Sequence, residues 1–247
     1  MGTKTETGFT IIETMLFLAV TGILAAAILV GSGVAIGQQR YRDSVNSLKS
    51  YVQQQYSEVT NVVNGRQKVW TCDALGNVTE VNPSAAQARG TSDCVLLGRF
   101  ITIDASGTKL STANIVGYRP ASAPIATSDI DELKDNYKLT ISPIDPDSSE
   151  VSWGAQVVKP KSTAPMPLSM LIVRSPLSGS VLTFTMEGIQ TNLSAMILEK
   201  NMTQQRNLCV NADVGSFVGR RLEVRIDKYA SNQSAVQIPS ESDSVCD

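Results

Sequence analysis

Residues 8–30 read GFTIIETMLFLAVTGILAAAILV, an apolar run that carries one acid, Glu13. From Thr14 through Gln39 there is no charged residue, and the next is Arg40. As a helix rising about 1.5 Å per residue, this stretch is long enough to cross the roughly 30 Å of hydrocarbon in a bilayer. Gly22, Gly31 and Gly33 interrupt it, which membrane helices tolerate better than soluble ones. A carboxylate deep in a bilayer costs about 2.5–3.5 kcal/mol on insertion scales, so it persists where it has a partner or a task. Glu13 stands one helical turn beyond Phe9. A cut between Gly8 and Phe9 would put a new α-amino group within a turn of this carboxylate. The same carboxylate could also reach the amino group of a neighbouring subunit packed with a small axial stagger.

Two other readings of the segment are weaker. Ala25-Ala26-Ala27 has the form of a secretory cleavage site, but a cut there would leave Ile28-Leu29-Val30 and more apolar chain at the new terminus. For orientation, Lys4 precedes the span while Arg40, Arg42 and Lys49 follow it, which by the positive-inside rule favours a cytoplasmic head. Four cysteines argue the other way. Cys72, Cys94, Cys209 and Cys246 lack the close CxxC spacing of zinc or redox motifs, and two disulfides read better, in an oxidising compartment. Four cysteines allow three pairings. Cys72–Cys94 with Cys209–Cys246 is preferred because each closes a local loop, and four buried free thiols are the alternative.

The hexad Gly8-Phe9-Thr10-Ile11-Ile12-Glu13, abutting a span of this length, closely resembles the processing site of type IV pilins and type II secretion pseudopilins. The resemblance implies a short leader, residues 1–8, removed by a membrane-bound prepilin peptidase that methylates the new terminal Phe9. It implies that Glu13, the fifth mature residue, docks subunits into a growing filament, and Gly22 falls where the family often has Gly. The resemblance is firm over residues 1–30 and architectural beyond. Two features depart from the pattern: the leader sets Lys4 against Glu6, and Gly31 and Gly33 stand near the place where many pilins have proline.

Beyond the span the chain turns polar without breaking. Tyr41, Val45, Leu48, Val52, Tyr56, Val59 and Val63 recur in steps of three and four, the apolar stripe of an amphipathic helix, and Asn64-Gly65 supplies a stop. One helix from Phe9 to Asn64 would be roughly 80 Å long. Its outer half would lie on a head rather than in a coiled coil, because the helical pattern ends after about three heptads. The rest reads as strands, among them VLLGRFITID, NIVGYR, YKLTIS, VSWGAQVV, SMLIVR, SVLTFTM and RRLEVRID, separated by turn clusters such as ASG, PIDPDSS and SPLSGS. SMLIVR and SVLTFTM form a hairpin. The expected fold is α+β and pilin-like: a long N-terminal helix, membrane-spanning over 9–37 and amphipathic over 38–64, packed on an antiparallel β-rich head over 65–247.

The absence of histidine removes Ser-His-Asp, Cys-His and His-zinc chemistry, and no phosphate cradle or paired-carboxylate site can be placed. The chain is expected not to be an enzyme and to carry no cofactor. Asp145, Asp147 and Glu150 form an oxygen-rich loop, and some pseudopilins bind calcium in a head loop. Without EF-hand spacing or its central Gly, a solvated turn is preferred there. Asp129, Asp131 and Glu132 suit the first turn of a short helix. Trp70 and Trp153 are taken as structural. Gly219-Arg220-Arg221-Leu222-Glu223-Val224-Arg225 is loosely similar to an element of DNA-binding minor pilins, with Arg220, Arg221 and Arg225 as phosphate contacts. Strand alternation would turn Leu222, Val224 and Ile226 to the core and Arg221, Glu223, Arg225 and Asp227 outward. Opposite signs there cancel, so an ordinary solvated strand is preferred. Cys209 to Cys246, spanning that strand, resembles the disulfide-bounded variable region of many pilins.

The expected function is that of a structural subunit of a type IV pilus or similar filament. The head is large for a major subunit, so a minor one is favoured. The alternatives are a minor pseudopilin of type II secretion, a DNA-binding minor pilin for DNA uptake, and a signal-anchored surface domain without a filament. The partners implied are other pilin subunits, the prepilin peptidase and methyltransferase, the membrane before assembly, and in one alternative DNA. The implied location is the cytoplasmic membrane, single-pass with the head outside the cytoplasm, then a surface or periplasmic filament.

Overall fold

The computed structural model describes residues 10–61, 70–81, 94–212 and 220–246. Gly8, Phe9, Val63, Asn64, Gly65 and Gly219 lie outside the described residues. Helix α1 (Ile11–Thr60) is a single run of 50 residues, about 75 Å long at 1.5 Å per residue. It ends earlier than Asn64: Asn61 leaves helical geometry at φ −106°, ψ 72°, and its N–H caps the Ser57 carbonyl.

After α1 come β1 (Trp70–Cys72) and β2 (Val78–Glu80), a small ribbon, then the long hairpin β3 (Cys94–Ile103) and β4 (Lys109–Tyr118). A short helical passage, α2 (Asp129–Asp131) continued by a π turn over Glu132–Asn136, leads to β5 (Lys138–Ile141), β6 (Asp147–Glu150) and β7 (Gln156–Val158). The hairpin β8 (Leu168–Arg174) and β9 (Val181–Glu187) is followed by α3 (Leu193–Met196), β10 (Arg206–Asn211), β11 (Glu223–Ile226) and β12 (Val236–Gln237). Every strand pair among the described residues is antiparallel. The larger sheet runs β5-β4-β3-β8-β9, with β6 also on β4, and the smaller runs β12-β11-β10-β7. The class is α+β, as expected, but with two main sheets sharing one helix.

The amphipathic stripe explains that sharing. Tyr41, Val45, Leu48, Val52, Tyr56 and Val59 are each 3% exposed or less, and they pack with Ile101, Ile103, Met170 and Ile172 of the larger sheet and Leu208, Val210, Val224 and Ile226 of the smaller. The larger sheet is also covered on its other face, where Phe100, Ile115, Leu171, Val173 and Phe184 meet Leu133 and Met196. Burial on both faces is why Leu168–Val173 are all buried and why their sequence is nearly continuous in apolar residues. Polar side chains fix the helix along its seam. Arg99 reaches Gln55 at 2.9 Å, Asn114 at 2.7 Å and Glu58 at 2.8 Å. The Tyr56 hydroxyl shares a 3.0 Å hydrogen bond with Thr183, and burial pushes its phenol up to about 12. Gln53 donates to the carbonyls of Gln233 and Val236, both at 3.0 Å.

Gly98 sets the closest approach in the larger sheet. It follows a bulge between β3 and β4, and a Cβ there would stand 2.0 Å from the Ile172 carbonyl oxygen and 2.7 Å from Val173 Cα. Both obstacles are backbone, so β3 and β8 must separate to admit a side chain. Gly98→Ala is expected to destabilise the head by about 3 kcal/mol, the upper range for overpacking. Gly22→Ala, where nothing lies within 4 Å, should leave the same unfolding midpoint unchanged.

Candidate membrane and assembly segment

The inner half of α1 has no partner among the described residues. Ile11, Leu16, Phe17, Ile23, Leu29, Val34 and Ile36 are all exposed, by 47–78%, and by length and composition the helix could cross a membrane. The polar groups along this half are satisfied within the helix. Thr14 Oγ1 donates to the Ile11 carbonyl at 2.8 Å, Thr21 Oγ1 to Phe17 at 2.8 Å and Ser32 Oγ to Ile28 at 2.7 Å. In hydrocarbon an unpaired hydroxyl costs several kcal/mol, and bonding back to a helix carbonyl removes that cost.

Glu13 occupies the first turn. Thr10 is the N-cap: its Oγ1 accepts from the Glu13 N–H at 3.3 Å, and the Glu13 carboxylate accepts from the Thr10 N–H at 3.5 Å. This reciprocal capping box was legible as Thr10-x-x-Glu13, a signal that the sequence reading passed over. The acid also suits the positive end of the helix dipole. Yet one long hydrogen bond uses little of a carboxylate that can accept about four. Among the described residues no cation reaches it. Gly8 and Phe9, the expected processing residues, fall outside the described residues.

The four cysteines form two disulfides, Cys72–Cys94 and Cys209–Cys246, with Cα separations of 6.0 and 5.6 Å. The first ties the β1–β2 ribbon to the start of β3. The second corrects the expectation for β11. Cys209 and Glu223 are cross-strand partners on one face, and the disulfide draws the segment around Cys246 across that face. Glu223, expected in solvent, is therefore 1% exposed. Its Oε1 accepts from Arg225 Nε and Nη2 at 3.0 and 2.6 Å, and its Oε2 accepts from the Val245 N–H at 3.1 Å, so both carboxylate oxygens have hydrogen-bond partners in place of water. Cys209, Glu223 and Cys246 also lie within 4.8 Å of one another, but both sulfurs are committed to the disulfide.

The three candidate phosphate-binding arginines separate accordingly. Arg225 holds Glu223 and donates to the Asp243 carbonyl at 2.9 Å, Arg221 donates to the Ser162 carbonyl at 2.6 Å, and Arg220 is exposed. Asp147 and Glu150 begin and end β6, an exposed strand on the β4 edge where a turn was expected, while Asp145 precedes it at φ 51°. Alternation along the strand turns the side chains of Asp147 and Glu150 to opposite faces. Asp129 and Asp131 open α2 as expected, capped by Ser128.

Trp70 is buried, while Trp153 is 56% exposed and lies beside Arg40 of α1. The stretch read as a strand begins with a 3₁₀ turn, Ser152–Gly154, in which Trp153 adopts φ 60°, ψ 31°. A bulky side chain in left-handed geometry costs on the order of 1–3 kcal/mol, sustained by surrounding contacts. Here Ser44 Oγ donates to the Ser152 carbonyl at 3.0 Å, and the Arg40 guanidinium carbon lies 4.9 Å from the indole centroid. Gly37, Arg40, Ser44, Trp153, Ala155 and Ala212 line a cleft of about 160 Å³ where α1 leaves the head.

Compared with protein-family models, curated proteins and solved structures, the chain matches none. The functional reading therefore rests on these residues and their arrangement.

Proposed function

We propose that this chain is a type IV pilin-like subunit, held in a membrane by the inner half of α1 and then assembled through it into a filament. The observation that carries the reading is one continuous helix with two unlike halves. The inner half exposes apolar side chains and closes its hydroxyls onto its own backbone, with Glu13 as the one carboxylate from Ile11 to Gln39. The outer half is built into the head by apolar packing and the Arg99, Tyr56 and Gln53 contacts. Such a helix transmits axial load from a bundle of inner halves to the heads without a hinge. The resemblance around Gly8-Phe9 supplies Glu13 with a partner: the methylated amino group of Phe9 on a neighbouring subunit, an ion pair that would offset burial and set the axial register.

The experiment is substitution of Glu13, followed by separate recovery of the membrane pool and the assembled pool from native cells. The reading requires the second pool to depend on this carboxylate and the first not to. A signal-anchored domain without a filament would show no dependence in either.

A further inference from the structure

The underside of the head carries an exposed indole beside a guanidinium that pairs with no carboxylate among the described residues, at the point where the apolar helix emerges. We propose that Trp153 and Arg40 form a seat for lipid headgroups, which sets the head against the bilayer surface before assembly. This rests on the membrane reading of α1. The last exposed apolar residue of the span is Ile36, Gly37 is buried against the head, and Arg40 is the first charge. Arg40 lies four residues beyond Ile36, about 6 Å along the axis. A bilayer with roughly 30 Å of hydrocarbon and 40–45 Å in all has a headgroup layer of about 5–7 Å on each side. The two depths coincide.

The chemistry fits the same layer. Indole is amphipathic and concentrates at the boundary between hydrocarbon and headgroups. Arginine lays its stem along apolar surface and turns its charge outward to phosphate. Among the described residues no carboxylate pairs with Arg40, and the stacking distance of 4.9 Å to Trp153 leaves the guanidinium edge open to an anion. Trp153 is presented outward by the left-handed turn Ser152–Gly154, which Ser44 and Ser47 of α1 hold in place through Ser152. Helix and seat therefore form one unit of fixed height.

The test uses the full chain reconstituted in vesicles of phosphatidylcholine and phosphatidylglycerol. Brominated lipids carry the quencher either near the carboxyl end or near the methyl end of the acyl chain. Trp153 fluorescence is read in W70F, or as the difference between wild type and W153F should W70F fail to fold. The expected result is a blue-shifted emission that loses more intensity to shallow than to deep bromine. Arg40→Gln should reduce that shallow quenching. A reporter in the span, F17W in a W153F background, should lose intensity to bromine at either depth relative to W153F alone. If the span reporter is quenched while Trp153 responds to aqueous iodide and to neither lipid, the helix is inserted and the seat is wrong. If neither tryptophan responds to lipid, the membrane reading falls and the seat with it. An unchanged Arg40→Gln profile would also overturn the seat as stated.

Discussion

Glu13→Ala should leave the chain in the membrane and remove it from assembled filaments. Alanine inserts at lower cost than an acid, so the membrane pool should equal or exceed that of the wild type; the acid's own insertion cost is at most about 2.5–3.5 kcal/mol. Assembly would differ under the proposed reading, because removing one member of a buried ion pair would leave the other uncompensated. That loss is about 3–5 kcal/mol, which is roughly 10²- to 4 × 10³-fold per contact at 1.4 kcal/mol per decade. Glu13→Gln separates this effect from helix capping. Glutamine keeps the capping-box hydrogen bond to the Thr10 N–H and loses only the charge. It should therefore prevent any helix fraying seen in the alanine variant and still fail to assemble. Assembled pools equal to the wild type for both variants would remove Glu13 from the interface.

The second large effect lies at the far end of the chain. Replacing Cys209 and Cys246 by Ala together should destabilise the head by about 4 kcal/mol, the chain-entropy expectation for a loop of this length, given a sequence separation of 37. Two consequences reinforce each other here. The segment from Ser240 to Cys246 loses its tether, and with it goes the cover over Glu223, whose Oε2 accepts from the Val245 N–H. Chemical denaturation of the detergent-solubilised full chain, followed through near-ultraviolet tyrosine and tryptophan signals, gives the midpoint. Limited proteolysis should cut the variant first within residues 239–246. An unchanged midpoint would mean that the ion pair of Glu223 with Arg225 and the strand pairing hold that face without the bond.

What was legible in the sequence divides along physical lines. The helix was readable because its signal is local and periodic. The stripe from Tyr41 to Val59 lands in the core residue for residue, and a lone acid in an apolar run marked Glu13. The β8–β9 hairpin was readable for a related reason, since burial on both faces leaves a long apolar run. Strands whose partners alone define them were not. β6 is Asp-Ser-Ser-Glu on an exposed edge, and β10, Arg206–Asn211, takes its place from pairing with β7 and β11. The first carries no apolar residue, and the second sets Leu208-Cys209-Val210 in a row between polar ends, so neither has an alternation to read.

The candidate sites show the same division. Local cysteine pairing was foreseen, but the burial of Glu223 depends on a segment some twenty residues away in sequence being folded over β11. Alternation alone turned that carboxylate to solvent. The exposure of Trp153 could not be read, because it follows from a left-handed backbone held by contacts to α1, and tertiary contacts of that kind leave no mark on local composition.

The measurement that bears most directly on the central claim is N-terminal and intact mass spectrometry of the protein recovered from native cells. The pilin-like account predicts a mature chain that begins at Phe9 and carries a methyl group on its α-amino nitrogen. A chain that begins at Met1, or at Ile28 after a cut behind Ala27, would contradict it.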